Sequence, residues 1–141
     1  MRSLGLDVGT HRIGVALSDE TGIIASPLTF IKVGKEFTGA LGEIEALVTT
    51  HRVTTVVIGL PLSLGGGDGG SSVRRARNLG ELIEQAFHIQ VDYWDERFTT
   101  LEAERLLVDA DVRRKSRRQV VDKVAAALIL QGYLDAKAQD G

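Results

Sequence analysis

The acids whose surroundings could support chemistry are Asp7, the pair Asp95-Glu96, and Asp122. Asp7 lies in Leu4 to Ala16, a stretch reading as strand, tight glycine turn and second strand. By strand alternation Leu4, Leu6 and Val8 share one face, and Ser3, Gly5 and Asp7 share the other. Two small residues therefore accompany the carboxylate. Gly5 leaves open space beside it and Gly9 lets the backbone turn just beyond it, a seat suited to a metal ion or a phosphate. The plainer alternative is an aspartate that ends a strand and bonds the turn amides of Gly9 and Thr10.

Asp95 and Glu96 close a later strand, and alternation sends them to opposite faces, Glu96 with Asp92 and Trp94, Asp95 with Val91 and Tyr93. Only one can look into a site, and the alternative for both is a surface ion pair with Arg97. Asp122 falls on a helical stripe with Ala125, Ala126, Ile129 and Tyr133. A carboxylate on that stripe needs a partner, either an arginine (Arg118 or Arg97) or a divalent metal shared with Asp7; the small residues beside it leave room for an ion. Three carboxylates form a hard-oxygen set that suits Mg²⁺ or Mn²⁺ better than zinc. Two such ions about 4 Å apart can activate a water and steady the leaving oxygen of a phosphodiester.

The elements that must position these acids are legible from periodicity. Ile13 to Ser18 is a second strand and Ile23 to about Val33 a third, joined closely enough for an antiparallel meander. Pro27 favours an edge position or a bulge for that third strand. Phe37, Leu41, Ile44, Leu47 and Val48 recur at helical spacing. Thr54 to Leu60 is a continuous apolar run, as expected of a parallel strand covered on both faces. Ser63 to Ser72 is glycine-rich and reads as a loop. A helix follows with Val73, Ala76, Gly80, Ile83 and Phe87 on one stripe, then a strand from His88 to Trp94. Capping boxes at Thr99/Glu102 and Ser116/Gln119 start two further helices, one to about Asp109 and the last to about Ala136. Right-handed crossovers would set the fourth and fifth strands parallel to the first in one mixed sheet, with the acids at its carboxyl edge.

At 141 residues the chain has room for one domain, 1–141, and its 43% hydrophobic and 26% charged residues describe a globular protein. A net charge of −2 gives no whole-chain reason to bind nucleic acid. Local charge differs: Arg74, Arg75 and Arg77 form one cluster, and Arg113, Arg114, Lys115, Arg117 and Arg118 a denser one, either a solvated face or the footprint of phosphate contacts. The absence of cysteine excludes disulfides, thiolate zinc sites and a cysteine nucleophile. No apolar run is long enough to span a bilayer and no signal peptide precedes the first strand, so a cytoplasmic protein with no membrane partner is expected.

With the acids placed, the chain resembles the bacterial YqgF/RuvX family, on the ribonuclease H-like fold shared with RuvC-type Holliday junction resolvases. The carriers are Asp7-Val8-Gly9-Thr10 with Arg12-Ile13-Gly14-Val15-Ala16, Gly59-Leu60-Pro61-Leu62, Asp95 through Ala103, and Val121-Asp122 before the helix ending Gln131-Gly132-Tyr133-Leu134. The resemblance implies an α/β, mixed five-stranded sheet flanked by helices and a Mg²⁺- or Mn²⁺-dependent nuclease. Family members go by the names pre-16S rRNA nuclease and, earlier, Holliday junction resolvase. By matching motifs Asp7, Glu96 and Asp122 inherit the catalytic and metal-binding roles. Arg74, Arg75, Arg77, Arg97 and Arg113 to Arg118 are the nucleic-acid contacts to expect, with structured RNA favoured over branched DNA and a monomer or homodimer as the working state. Two departures stand out: Ser63-Leu64-Gly65-Gly66 replaces the usual Asn-Met-Asp-Gly type loop, and Ala125 stands where RuvC-like resolvases tend to carry a further carboxylate. The competing classes are a nucleotide-clamping ATPase, whose first phosphate loop resembles Asp-Val-Gly-Thr, and a nucleic-acid-binding module without catalysis.

Overall fold

A computed structural model of the chain describes residues 1–34, 36–61, 70–96 and 114–140, leaving the side chains of 38, 114–123, 139 and 140 outside the description. The elements are β1 (Arg2–Val8), β2 (Arg12–Ser18), β3 (Ala25–Lys32), α1 (Thr38–His51), β4 (Val53–Leu60), α2 (Ser71–Phe87), β5 (Gln90–Asp95) and α3 (Arg114–Asp140). The sheet order is β3-β2-β1-β4-β5. Strands β1, β2 and β3 form the antiparallel meander, while β4 and β5 run parallel to β1. The mixed five-stranded α/β architecture expected from the sequence is the one found. The helix expected over Thr99 to Asp109 and most of the loop expected over Ser63 to Ser72 lie outside the described residues; Ser71 and Ser72 already belong to α2.

Alternation sorts the sheet into two cores. Leu4, Leu6, Ile13, Val15, Val56 and Ile58 pack with Ala40 and Ile44 of α1 and with Val73, Ala76, Leu79 and Ile83 of α2. On the opposite face Ala16 and Val57 meet Ala126, Ile129, Leu130, Tyr133 and Leu134 of α3. The apolar run of β4 thus feeds both faces in turn, which is why it does not alternate with polar residues. Each fully buried leucine or isoleucine here contributes about 1.5–3 kcal/mol relative to exposure.

Pro27 behaves as its missing amide requires. It sits on the edge strand β3, where Val15 pairs with Thr29 and Ala16 with Pro27, so Leu28 is looped out of register.

Several boundaries differ from expectation for identifiable reasons. β3 starts at Ala25 and not at Ile23, because the Asp19 carboxylate accepts the amides of Ile23 and Ile24 at 2.8 and 3.0 Å and the Thr21 hydroxyl, holding both isoleucines in a turn. These bonds hold the Asp19 carboxyl at about 2. β5 starts at Gln90 and not at His88, because His88 is the left-handed cap of α2 (φ 52°) and donates its amide to Glu84 O. Ser116 does not cap the last helix: α3 begins at Arg114, ahead of it, and continues to Asp140. Gly5 does not leave open space beside Asp7. A β-carbon there would stand 2.8 Å from Leu130 Cβ and 3.0 Å from the carbonyl oxygen of Ala126, so α3 itself occupies that room.

Candidate active site

Asp7 is the last but one residue of β1, and because Leu4 and Leu6 face the α1/α2 core its carboxylate faces α3. Pairing of Leu6 with Ile58 brings Gly59 level with Asp7 on the neighbouring strand. Gly59 in turn pairs with Trp94 and Leu60 with Asp95, and the Glu96 amide donates to Leu60 O at 3.1 Å, carrying the ladder one residue past β5. On β5, Asp92 and Trp94 are on the α3 side: the Tyr133 hydroxyl donates to Asp92 Oδ2, and a β-carbon on Gly132 would stand 2.9 Å from Trp94 Nε1. Val91 and Tyr93 are on the α1/α2 side. Glu96 follows the parity of Asp92 and Trp94 and meets Asp7, side chain to side chain, in a hydrogen bond.

The two acids constrain each other. Burial, then the Asp7 charge, the hydrogen bond to Asp7 and the Asp95 charge push the Glu96 carboxyl up from 4.5 to about 8. The pair therefore holds a proton between its members near neutrality. Glu96 Oε2 is buried with no hydrogen-bond partner among the described residues. It occupies the space that any side chain at position 59 would need, with Ile129 Cδ1 2.5 Å from the same point. Gly59 escaped the sequence reading as a site residue, although a glycine interrupting an apolar run was the available signal. A buried Glu96 oxygen with no partner among the described residues, a second carboxylate bonded to the same side chain and an all-oxygen donor set fit Mg²⁺ or Mn²⁺.

Among the described residues no group of three or more His, Cys, Asp or Glu side chains could hold a metal, so Asp7 and Glu96 stand there as a pair. The third expected acid, Asp122, has its backbone on α3 and its side chain outside the description. The helix runs opposite to β1: Gln131 bonds Ala25 N and Ile23 O, beside the amino end of β1, whereas Ala126 lies at Gly5. The amino-terminal arm of α3, which carries the Asp122 backbone, therefore runs in the direction in which β1 approaches Asp7.

The arginines divide. Arg75 Nε donates to Gly9 O at 3.3 Å, and its Nη2 to Thr10 O at 3.4 Å and Gly34 O at 3.0 Å. Arg77 lies over the Tyr93 ring, 5.3 Å from its centroid. Arg74 lines a cavity of about 700 Å³ between α1 and α2, with Phe37, Leu41, Asn78 and Leu82. Arg114, Lys115, Arg117 and Arg118 lie on the first turns of α3 with side chains outside the description, and Arg97 and Arg113 are outside it altogether. No helix among the described residues is long and apolar enough to cross a membrane.

Comparison with known proteins places this geometry among relatives. Residues 1–136 match the family described as RuvX: Holliday junction resolvase. A Bacillus cytotoxicus protein named "Putative pre-16S rRNA nuclease" is 48% identical over 97% of this chain and 100% of its own length. A Bacillus cereus protein of the same name is 49% identical over the same shares. Among solved structures, RuvC of Thermus thermophilus in complex with a Holliday junction substrate superimposes with a TM-score of 0.61 at 16% identity, over 98% of this chain and 96% of that one. The fowlpox virus Holliday junction resolvase superimposes with a TM-score of 0.59 at 11% identity, over 97% and 99%. At those identities the likeness establishes the fold, a ribonuclease H-like mixed sheet.

Proposed function

Because the chain belongs to the RuvX family, we propose that it is a divalent-metal-dependent nuclease of the cytoplasm, a single domain over residues 1–141, that matures the 5′ end of pre-16S rRNA. The observation that carries this reading is the bonded Asp7–Glu96 pair, with a buried Glu96 Oε2 that has no partner among the described residues. Full-length relatives at 48% and 49% identity support the choice of substrate by their names.

Asp7 and Glu96, joined by Asp122 from α3, would hold Mg²⁺ or Mn²⁺. Divalent ions so held would supply an activated water and charge neutralisation at the leaving oxygen of a phosphodiester. Glu96 would hold the ion as a carboxylate, so the proton it shares with Asp7 would pass to solvent on binding. Ile129 and Gly59 confine the Glu96 carboxyl, so little rotamer freedom remains to be lost when it coordinates. Arg114, Lys115, Arg117 and Arg118 on the first turns of α3, with Arg74, Arg77, Arg97 and Arg113, supply cationic contacts to the RNA backbone.

The test is a side-by-side cleavage assay in Mn²⁺ with precursor rRNA leader, single-stranded RNA and a four-way DNA junction. Cleavage of the leader by the parent protein, and its loss in a folded Asp7→Asn variant, is the expected result. Equal cutting by the variant would remove Asp7 from the mechanism. The family's description as Holliday junction resolvases favours one second reading, cleavage of four-way DNA. That reaction needs two sites related by a two-fold axis, so a protein that stays monomeric on the junction argues against it.

A further inference from the structure

Arg75 belongs by sequence to a basic cluster, but its guanidinium is turned onto the protein's own backbone. It reaches from α2 to three carbonyl oxygens on two separate turns, those of Gly9 and Thr10 between β1 and β2 and that of Gly34 after β3. Its plane is backed by Phe37, whose ring centroid lies 4.3 Å from Cζ and which is only 6% exposed. The turn it grips is already tight: Gly9 N donates to Arg12 O at 2.8 Å, and a β-carbon on Gly9 would stand 2.7 Å from that oxygen. Next to it Val33 N donates to His11 O at 2.9 Å, so both turns are stitched together beneath the guanidinium. Gly9 is two residues beyond Asp7.

We infer that Arg75 is a positioning residue: by holding the carbonyls of Gly9, Thr10 and Gly34 it fixes the turn that ends β1 and so sets the placement of Asp7 against Glu96. The inference rests on the reading of Asp7 as a metal ligand. An arginine suits the task because its planar, always-charged fork can serve several acceptors at once, whereas a lysine ammonium offers a single point of charge on a flexible stem. The aromatic face beneath holds the fork in one orientation. Arg75 lines the same cavity as Arg74, and its bonds to the three carbonyls give it this additional role.

The experiment compares the parent with Arg75→Lys in three measurements: Mn²⁺ affinity by calorimetry, hydrogen exchange of the peptide spanning residues 8–12, and RNA affinity in chelator as a function of salt. Supporting residues around a metal ligand typically contribute about ten- to a hundredfold in affinity, and a loss of that size is expected. The 8–12 amides should exchange faster, RNA affinity and its salt slope in chelator should stay at the parent's values, and saturating Mn²⁺ should restore cleavage. Unchanged Mn²⁺ affinity together with weaker RNA binding and a salt slope reduced by about one would make Arg75 a phosphate contact and overturn the assignment. So would parental exchange at 8–12. If the parent itself binds no Mn²⁺, the metal reading of Asp7 falls, while the exchange measurement still decides whether Arg75 holds the turn. Should Arg75→Lys fail to fold, Phe37→Leu removes the ring that backs the guanidinium; faster exchange at 8–12 is expected there too, and parental exchange would overturn the inference.

Discussion

Glu96 is seated over the α-carbon of Gly59, so that the acid at the end of one strand fills the volume a side chain on the adjacent strand would have taken. Gly59→Ala must move either Glu96 or Ile129. Overpacking of this kind costs about 1–3 kcal/mol, and the displaced carboxylate should lower Mn²⁺-supported cleavage by more than the loss of stability explains. Thermal denaturation and cleavage at saturating RNA, measured on the same preparation, separate the two. Parental activity in a destabilised Gly59→Ala protein would show that Glu96 can sit elsewhere and still work.

The proton held by Glu96 gives the metal-free protein a distinctive pH dependence. An unfolded chain releases that proton in the ordinary carboxylate range near 4.5, whereas the folded chain keeps it to about 8. Between those values the folded state binds more protons than the unfolded, so the Glu96 contribution is fully present below about pH 4.5, declines as pH rises, and is gone above about pH 8. The stability difference between parent and Glu96→Gln, followed by denaturant titration in chelator, should show this decline. Divalent cations should abolish it by taking the proton's place. A pH-independent difference would mean that Asp7 and Glu96 do not share a proton.

Gln131 ties α3 to the turn before β3, accepting from Ala25 N at 2.9 Å and donating to Ile23 O at 2.8 Å and to Asp135 Oδ1 at 2.9 Å. Gln131→Leu leaves the Ala25 amide and the Ile23 carbonyl without this partner, at a cost of about 0.5–1.5 kcal/mol, since water reaches the Ile23 carbonyl. Hydrogen exchange should quicken in residues 23–25 and leave the Asp7 turn alone. Cleavage per folded molecule should be that of the parent, because these bonds lie at the opposite end of β1 from Asp7.

Replacing Arg113, Arg114, Lys115, Arg117 and Arg118 with glutamine should weaken RNA binding and flatten its salt dependence, by about one unit of slope for each phosphate that the chain no longer neutralises. Binding isotherms at several salt concentrations in chelator measure this without interference from cleavage. An unchanged slope would leave these residues as ordinary surface charge.

The sheet was legible because each strand carries a local pattern that agrees with its place. β1 alternates, β4 is apolar and buried from Val56 to Leu60 because both its faces are covered there, and Pro27 marks an edge with a bulge. Boundaries failed where a side chain or a left-handed residue outweighed hydrophobic pattern, as at Asp19, which captures the amides of Ile23 and Ile24, and at His88, which ends α2. At the site, strand parity alone left Asp95 and Glu96 undecided, since either could have been the one facing inward. In the structure Glu96 is the one that meets Asp7, and Gly59 on the neighbouring strand leaves the space its carboxylate fills. The bonds of Arg75 were illegible for a different reason: charge clustering in a sequence shows where cations are, not which backbone carbonyls they also bond.

The intimate seating of α3 on Gly5, with Leu130 Cβ and the Ala126 carbonyl where a β-carbon would stand, makes the long helix a lever with its fulcrum in the middle of the sheet. A methyl group added at that fulcrum would displace the helix, and with it the arm that carries the Asp122 backbone. On the proposed function the injury would then surface as lost cleavage, although the change is made at position 5.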